Sequence, residues 1–203
     1  MINPVISATV SLPVLTNLVT DAETCKKVCA ALAAAYRAHI KYGPEEPLIG
    51  IIGTALEKMG VEDKEDFLKK CSITINRDIY LNFRIGDDSI PYSAQIATVA
   101  HECEHVAQGR KVGVAVFFMR YFSSTAHRSE FEARAFAVSL EVLYRITGKM
   151  PDIEKLASRI LWYKCTDTDA QIIEKHLAII ANTLSRGGII SDQMRVITKA
   201  LGK

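Results

Sequence analysis

The sequence predicts an α+β fold: a mostly helical single domain with one small β-hairpin or sheet beside a central helix. Three observations lead there. Helical periodicity and cap signals recur along most of the chain. One alternating stretch, rich in β-branched and aromatic residues, lies at 72–85. No internal repeat, low-complexity run or linker divides the 203 residues. A chain of this length can bury a sizeable core. It divides into an N-terminal helical part (1–70), a central part carrying the hairpin and a histidine motif (71–148) and a C-terminal helical part (149–203), expected to pack as one compact domain.

Residues 21–41 are rich in Ala, open with acidic residues and stop before Gly43-Pro44, which is the pattern of a long helix. Residues 48–59 and 64–70 predict two shorter ones. Residues 72–76 (SITIN) and 79–85 (IYLNFRI) alternate, with Arg77-Asp78 as a two-residue turn, so a β-hairpin is expected. Pro91 suits the first turn of the next helix, and Gly109 suits its end, with Arg110 and Lys111 just beyond. Further helices are expected at 112–122, 129–146, 152–164, 168–186 and 191–201.

Composition bounds the partners. Apolar residues make up 49% and charged residues 24%, and the net charge is +2. Nothing in that balance points to nucleic acid or an anionic membrane. The first twenty residues lack a basic start and are interrupted by Pro4 and Pro13, so no secretory leader is expected. The densest apolar window, 112–119, ends at Arg120 and falls well short of the roughly 20 residues of a membrane span; no stable membrane insertion is expected. Five cysteines do not spell a disulfide framework. Cys25 and Cys29, one helical turn apart, read as small core residues rather than a metal or redox pair. A reducing, cytoplasmic setting fits best. The oligomeric state stays open.

The chemistry lies at 101–105, within ATVAHECEHVAQG, which contains H-E-x-x-H. On a helix, His101 and His105 lie one turn apart on one face and can reach one metal ion. Gln108 shares that face, while Ile96, Val99, Cys103 and Val106 fall on the opposite, apolar side, so Cys103 reads as packing. Zinc suits two imidazoles plus a carboxylate with a position left for water, and Glu102 is then placed to act as general base. Chance alone would supply the motif in under about one in a hundred chains of this length.

The third ligand needs a second segment. The metzincin pattern is absent: Lys111 stands where a third His would, and Gln108 replaces the intervening Gly. Cys71, in KKCSIT, does not match the E-G-C-L motif of peptide deformylases. The stretch 129–143, SEFEARAFAVSLEVL, resembles E-x-E-A-N-x-F-A-x-x-L-L of phage and mobile-element metallopeptidases that cleave repressors. It is also similar to E-F-x-A-D-A-F-A of the prenyl-protein proteases, and HECEHVAQ resembles short bacterial and phage gluzincins with V-x-Q after the motif. The likeness covers roughly residues 73–143. It implies a zincin-like core and carries the metal-ligand role to Glu130, with Glu132 as the alternative. Ala133 and Ala137, on the Glu130 side, would let the two helices approach closely. Arg134 departs from the pattern, which has an Asp or Asn acceptor there for a ligand His. It is also spaced to pair with Glu130.

Of Tyr121, His127 and Tyr144, His127, just before the Glu-bearing helix, is the first candidate to stabilise an oxyanion. Residues 79–85 are the candidate edge strand for an extended substrate. The resemblance thus implies a zinc (Zn2+) metallopeptidase acting on a peptide or protein, with His101, His105 and Glu130 on the metal. Two rivals are a catalytically inactive zincin-fold binding or regulatory module, and a phage or mobile-element effector protease acting on one protein.

Overall fold

The computed structural model describes residues 15, 18–58, 63–188 and 191–203. The reading of the N-terminal twenty residues therefore lies largely outside the described residues, as does the expected helix end at Met59.

α1 (Ala22–Tyr36) begins where Asp21 accepts a hydrogen bond from the Thr24 amide at 2.7 Å, and it buries Cys25, Val28, Cys29 and Leu32 as one stripe. It stops short of the expected residue 41. Arg37 takes a left-handed conformation (φ 51°) and closes the helix, and His39–Tyr42 become strand β1. The reason is tertiary: β1 finds a parallel partner in β3 (Asp78–Leu81), a pairing that local sequence does not announce. A 3-10 turn (Gly43–Glu45), α2 (Pro47–Lys58) and α3 (Lys64–Lys70) form the crossover.

The hairpin forms between β2 (Ile73–Ile75) and β3, but its turn falls one residue early, at Asn76-Arg77, and the second strand ends at Leu81 where the sequence predicts it to continue to 85. Asn76 has φ 60°, a conformation that Asn tolerates better than most residues. The sheet order is β1-β3-β2, so β3 is central and buried, and β2 is an edge. The expectation that residues 79–85 supply the edge strand is corrected accordingly.

α4 (Tyr92–Val112) carries the H-E-x-x-H motif and runs through Gly109, ending instead at Gly113, whose φ of 88° favours glycine. α5 (Val114–Ser123) follows at once. α6 (Thr125–Thr147) starts earlier than expected because Ser124 caps the His127 amide, and it stops at Gly148 (φ 70°). α7 (Ile153–Ser158), a 3-10 turn (Arg159–Tyr163), α8 (Asp167–Ser185) and α9 (Asp192–Ala200) complete the chain.

α4 packs against α6, with α1 and the sheet on its other sides. The main core joins Leu32, Leu81, Ile96, Val99, Val142 and Ile197, and so draws on all three predicted parts of the chain. A second cluster, including Phe136, Leu140, Ile160 and Leu177, fills the space between α6 and α7–α8. α6 is thus buried on two faces. Among the described residues no helix is long and apolar enough to cross a membrane.

Candidate metal centre

The site is where α4 and α6 face each other. The helical spacing of His101 and His105 puts both imidazoles on the α6 side, while Ile96, Val99, Cys103 and Val106 are buried on the core side. The Nε2 atoms of the two histidines lie 3.2 Å apart. Into the gap α6 brings Glu132, whose Oε2 is 3.2 Å from His101 Nε2 and whose Oε1 is 3.4 Å from His105 Nε2. Among the described residues, these three form the one group of His, Cys, Asp or Glu side chains whose ligand atoms converge closely enough for a metal ion.

The carboxylate at the histidines is therefore Glu132, not Glu130. Glu130 lies on the exposed side of α6 and pairs with Arg134 at 3.0 Å. Helix phase accounts for the difference. Glu132, Phe136 and Ser139 share the face turned to α4: Phe136 packs 5.2 Å from the His101 ring, and Ser139 Oγ is 3.3 Å from His101 Nδ1. Ala133 and Ala137, which point toward Glu130 as ligand, pack instead into the cluster with α7 and α8. A signal for Glu132 was present: it sits four and eight residues before Phe136 and Leu140, inside an apolar stripe.

The group fits a metal ion. Tetrahedral bonds of about 2.0–2.2 Å place ligand atoms about 3.3–3.5 Å apart, close to the separations found. Glu132 is fully buried, and its Oε2 completes no well-formed hydrogen bond although His101 Nε2 lies 3.2 Å away, which a cation shared by the two atoms would satisfy. Two imidazoles and a carboxylate are also a donor set that zinc accepts.

Burial works against the charge on Glu132, but His105 and His101 beside it outweigh that and hold its carboxyl well below the usual carboxylate range. Burial likewise opposes charge on His105, and Glu132 overrides it, pushing the imidazole up to about 9.

Three further groups border the centre. Glu102, 3% exposed, accepts a hydrogen bond at Oε2 from Thr74 Oγ1 of β2 at 2.7 Å. Tyr121, from α5, donates to Glu132 Oε1 at 2.6 Å. Burial, reinforced by Glu132, raises the Tyr121 phenol well above its ordinary value and keeps it a donor. Tyr163 is raised in the same way by burial and by the charges of Glu132 and Glu102. Arg128 ties these tyrosines together by donating to both their carbonyl oxygens. His127 does not belong to this set: it stands exposed in the first turn of α6, so the structure corrects its expected place. Tyr121 is legible in the sequence as a candidate near the two helices, whereas the approach of Thr74 and Tyr163 depends on the sheet edge and a 3-10 turn.

No known protein family, curated protein or solved structure matches the chain.

Proposed function

We propose that this chain is a zinc-dependent metallopeptidase of the gluzincin type with a zincin-like core. His101, His105 and Glu132 hold the metal and Glu102 serves as general base. The observation that carries the reading is the convergence of three buried ligand atoms beside a carboxylate held by its own hydrogen bond. Zinc held by these three residues would supply an activated water and a Lewis acid for a carbonyl.

The chain's own residues supply the rest. Glu102 takes the proton of the attacking water and delivers it to the leaving amine. Thr74 occupies one carboxylate oxygen and leaves the other for that transfer. Tyr121 gives its one hydroxyl proton to Glu132 and so orients that carboxylate, while Tyr163, kept protonated, is the candidate donor for a developing oxyanion. The edge strand β2, which carries Thr74, offers unpaired backbone groups to an extended peptide or protein substrate. Glu102→Gln should retain one zinc per chain and lose hydrolysis; a variant that cleaves peptides as fast as the parent refutes the mechanism.

One observation favours a second reading, a zinc-stabilised binding module without turnover. His101, Glu102 and His105 are each under a tenth exposed and Glu132 is fully buried, which restricts access. Zinc binding without cleavage of any unfolded protein substrate supports that reading.

A further inference from the structure

We infer that Gln108 fixes the metal-binding form of His105 and holds the two ligand-bearing helices in register, its amide being held in turn by Glu104 and, through it, by Gln193 of α9. This rests on the reading of His101, His105 and Glu132 as metal ligands.

Gln108, 5% exposed, makes three polar contacts that leave its amide one orientation. Its Nε2 lies 3.0 Å from the Phe131 carbonyl oxygen and 3.3 Å from Glu104 Oε1. A carbonyl and a carboxylate only accept, so the NH2 end must face them. The Oε1 end then faces His105 Nδ1 at 3.0 Å and can only accept. His105 must therefore carry a proton on Nδ1, so the neutral ring is the tautomer whose Nε2 lone pair faces Glu132 and can bind a metal. Phe131 directly precedes Glu132 in α6, so one carboxamide joins a ligand on α4 to the backbone beside the ligand on α6.

His101 has no equivalent device. Its Nδ1 meets the hydroxyl of Ser139 at 3.3 Å, and a hydroxyl donates or accepts equally well. The choice of tautomer is thus enforced on the His105 side.

The support continues outward. Glu104 Oε2 accepts from Gln193 Nε2 at 2.9 Å, and Gln193 is 2% exposed. α9 is also fastened to α6, where Glu141 Oε2 accepts from the Ser191 amide at 2.9 Å and from its hydroxyl at 2.6 Å. The C-terminal helix therefore bridges both metal helices, and its Gln193 sits two hydrogen bonds from the amide that orients His105.

The test measures zinc affinity of the full chain by competition with a chromophoric chelator, together with the ring-proton spectrum of the zinc-loaded protein. The parent should bind one zinc and show a slowly exchanging His105 Nδ1–H. Gln108→Met, similar in size but without the amide, should bind zinc about 10–100-fold more weakly and lose that proton signal. Should Gln108→Met fail to fold, Gln193→Met is read instead: it should weaken zinc binding severalfold and keep the Nδ1–H. An affinity within about twofold of the parent in the variant that is read overturns the inference while leaving the metal reading intact. A parent that binds no zinc overturns the metal reading itself.

Discussion

Thr74 Oγ1 lies 2.7 Å from Glu102 Oε2 and joins the edge strand β2 to the carboxylate next to His101. A hydrogen bond to a charged group contributes roughly 1.5–3 kcal/mol, and here it also selects which oxygen of Glu102 stays free. Thr74→Val, which preserves shape, should lower kcat by about 10-fold or more on that scale and leave KM and zinc content nearly unchanged. Thr74→Ser should restore most of the rate. Steady-state kinetics on the three proteins decide it, and a Val variant as fast as the parent would show that the hydroxyl bond to Glu102 plays no part.

Glu130 and Glu132 make opposite predictions. Glu132 is fully buried between two imidazoles, whereas Glu130 is exposed and paired only with Arg134. Glu132→Ala should abolish stoichiometric zinc binding. Glu130→Gln should bind zinc as the parent does and lose at most about 0.2–0.5 kcal/mol of stability, the worth of an exposed helical ion pair. Metal analysis of both purified variants separates the two carboxylates, and loss of zinc in Glu130→Gln would reverse the assignment.

The contrast between these two carboxylates also shows what local sequence carries. His101, Glu102 and His105 were legible because their relation is internal to one helix, where a spacing of four fixes a shared face. The choice between Glu130 and Glu132 depends on which side of α6 meets α4. α6 is apolar on two faces, one toward α4 and one toward α8, so a stripe of small residues such as Ala133 and Ala137 matched the wrong neighbour. β1 was hidden for a related reason. His39–Tyr42 follow a strong helix former and become a strand only because β3 lies alongside. The hairpin, by contrast, announced itself through alternation, although the Asn76 turn shifted it by one residue and the second strand stops at Leu81.

The capping box of α8 makes stability depend on pH. Thr166 Oγ1 accepts from the Asp169 amide at 3.2 Å, and Asp169 Oδ2 accepts from the Thr166 amide at 2.9 Å and from its hydroxyl at 2.8 Å. The Thr166 amide, and after it the hydroxyl, hold the Asp169 carboxyl below its ordinary value of 3.8 against the opposing effect of burial. A group whose folded value is depressed stabilises the fold above its unfolded value, and that contribution disappears as pH falls through the folded value. Because α8 packs on α6 beside the face that carries Glu132, loosening it reaches the core through Leu177 and Leu140. Asp169→Asn should therefore lower Tm at pH 7, by an amount corresponding to roughly 1 kcal/mol for a helix-cap interaction. The gap between parent and variant should hold steady down to about pH 5 and then narrow below pH 3.8 as Asp169 itself becomes neutral. Thermal melts of both proteins across that range test it, and a gap that stays constant into the acid limit would assign the effect to packing rather than to the carboxylate charge.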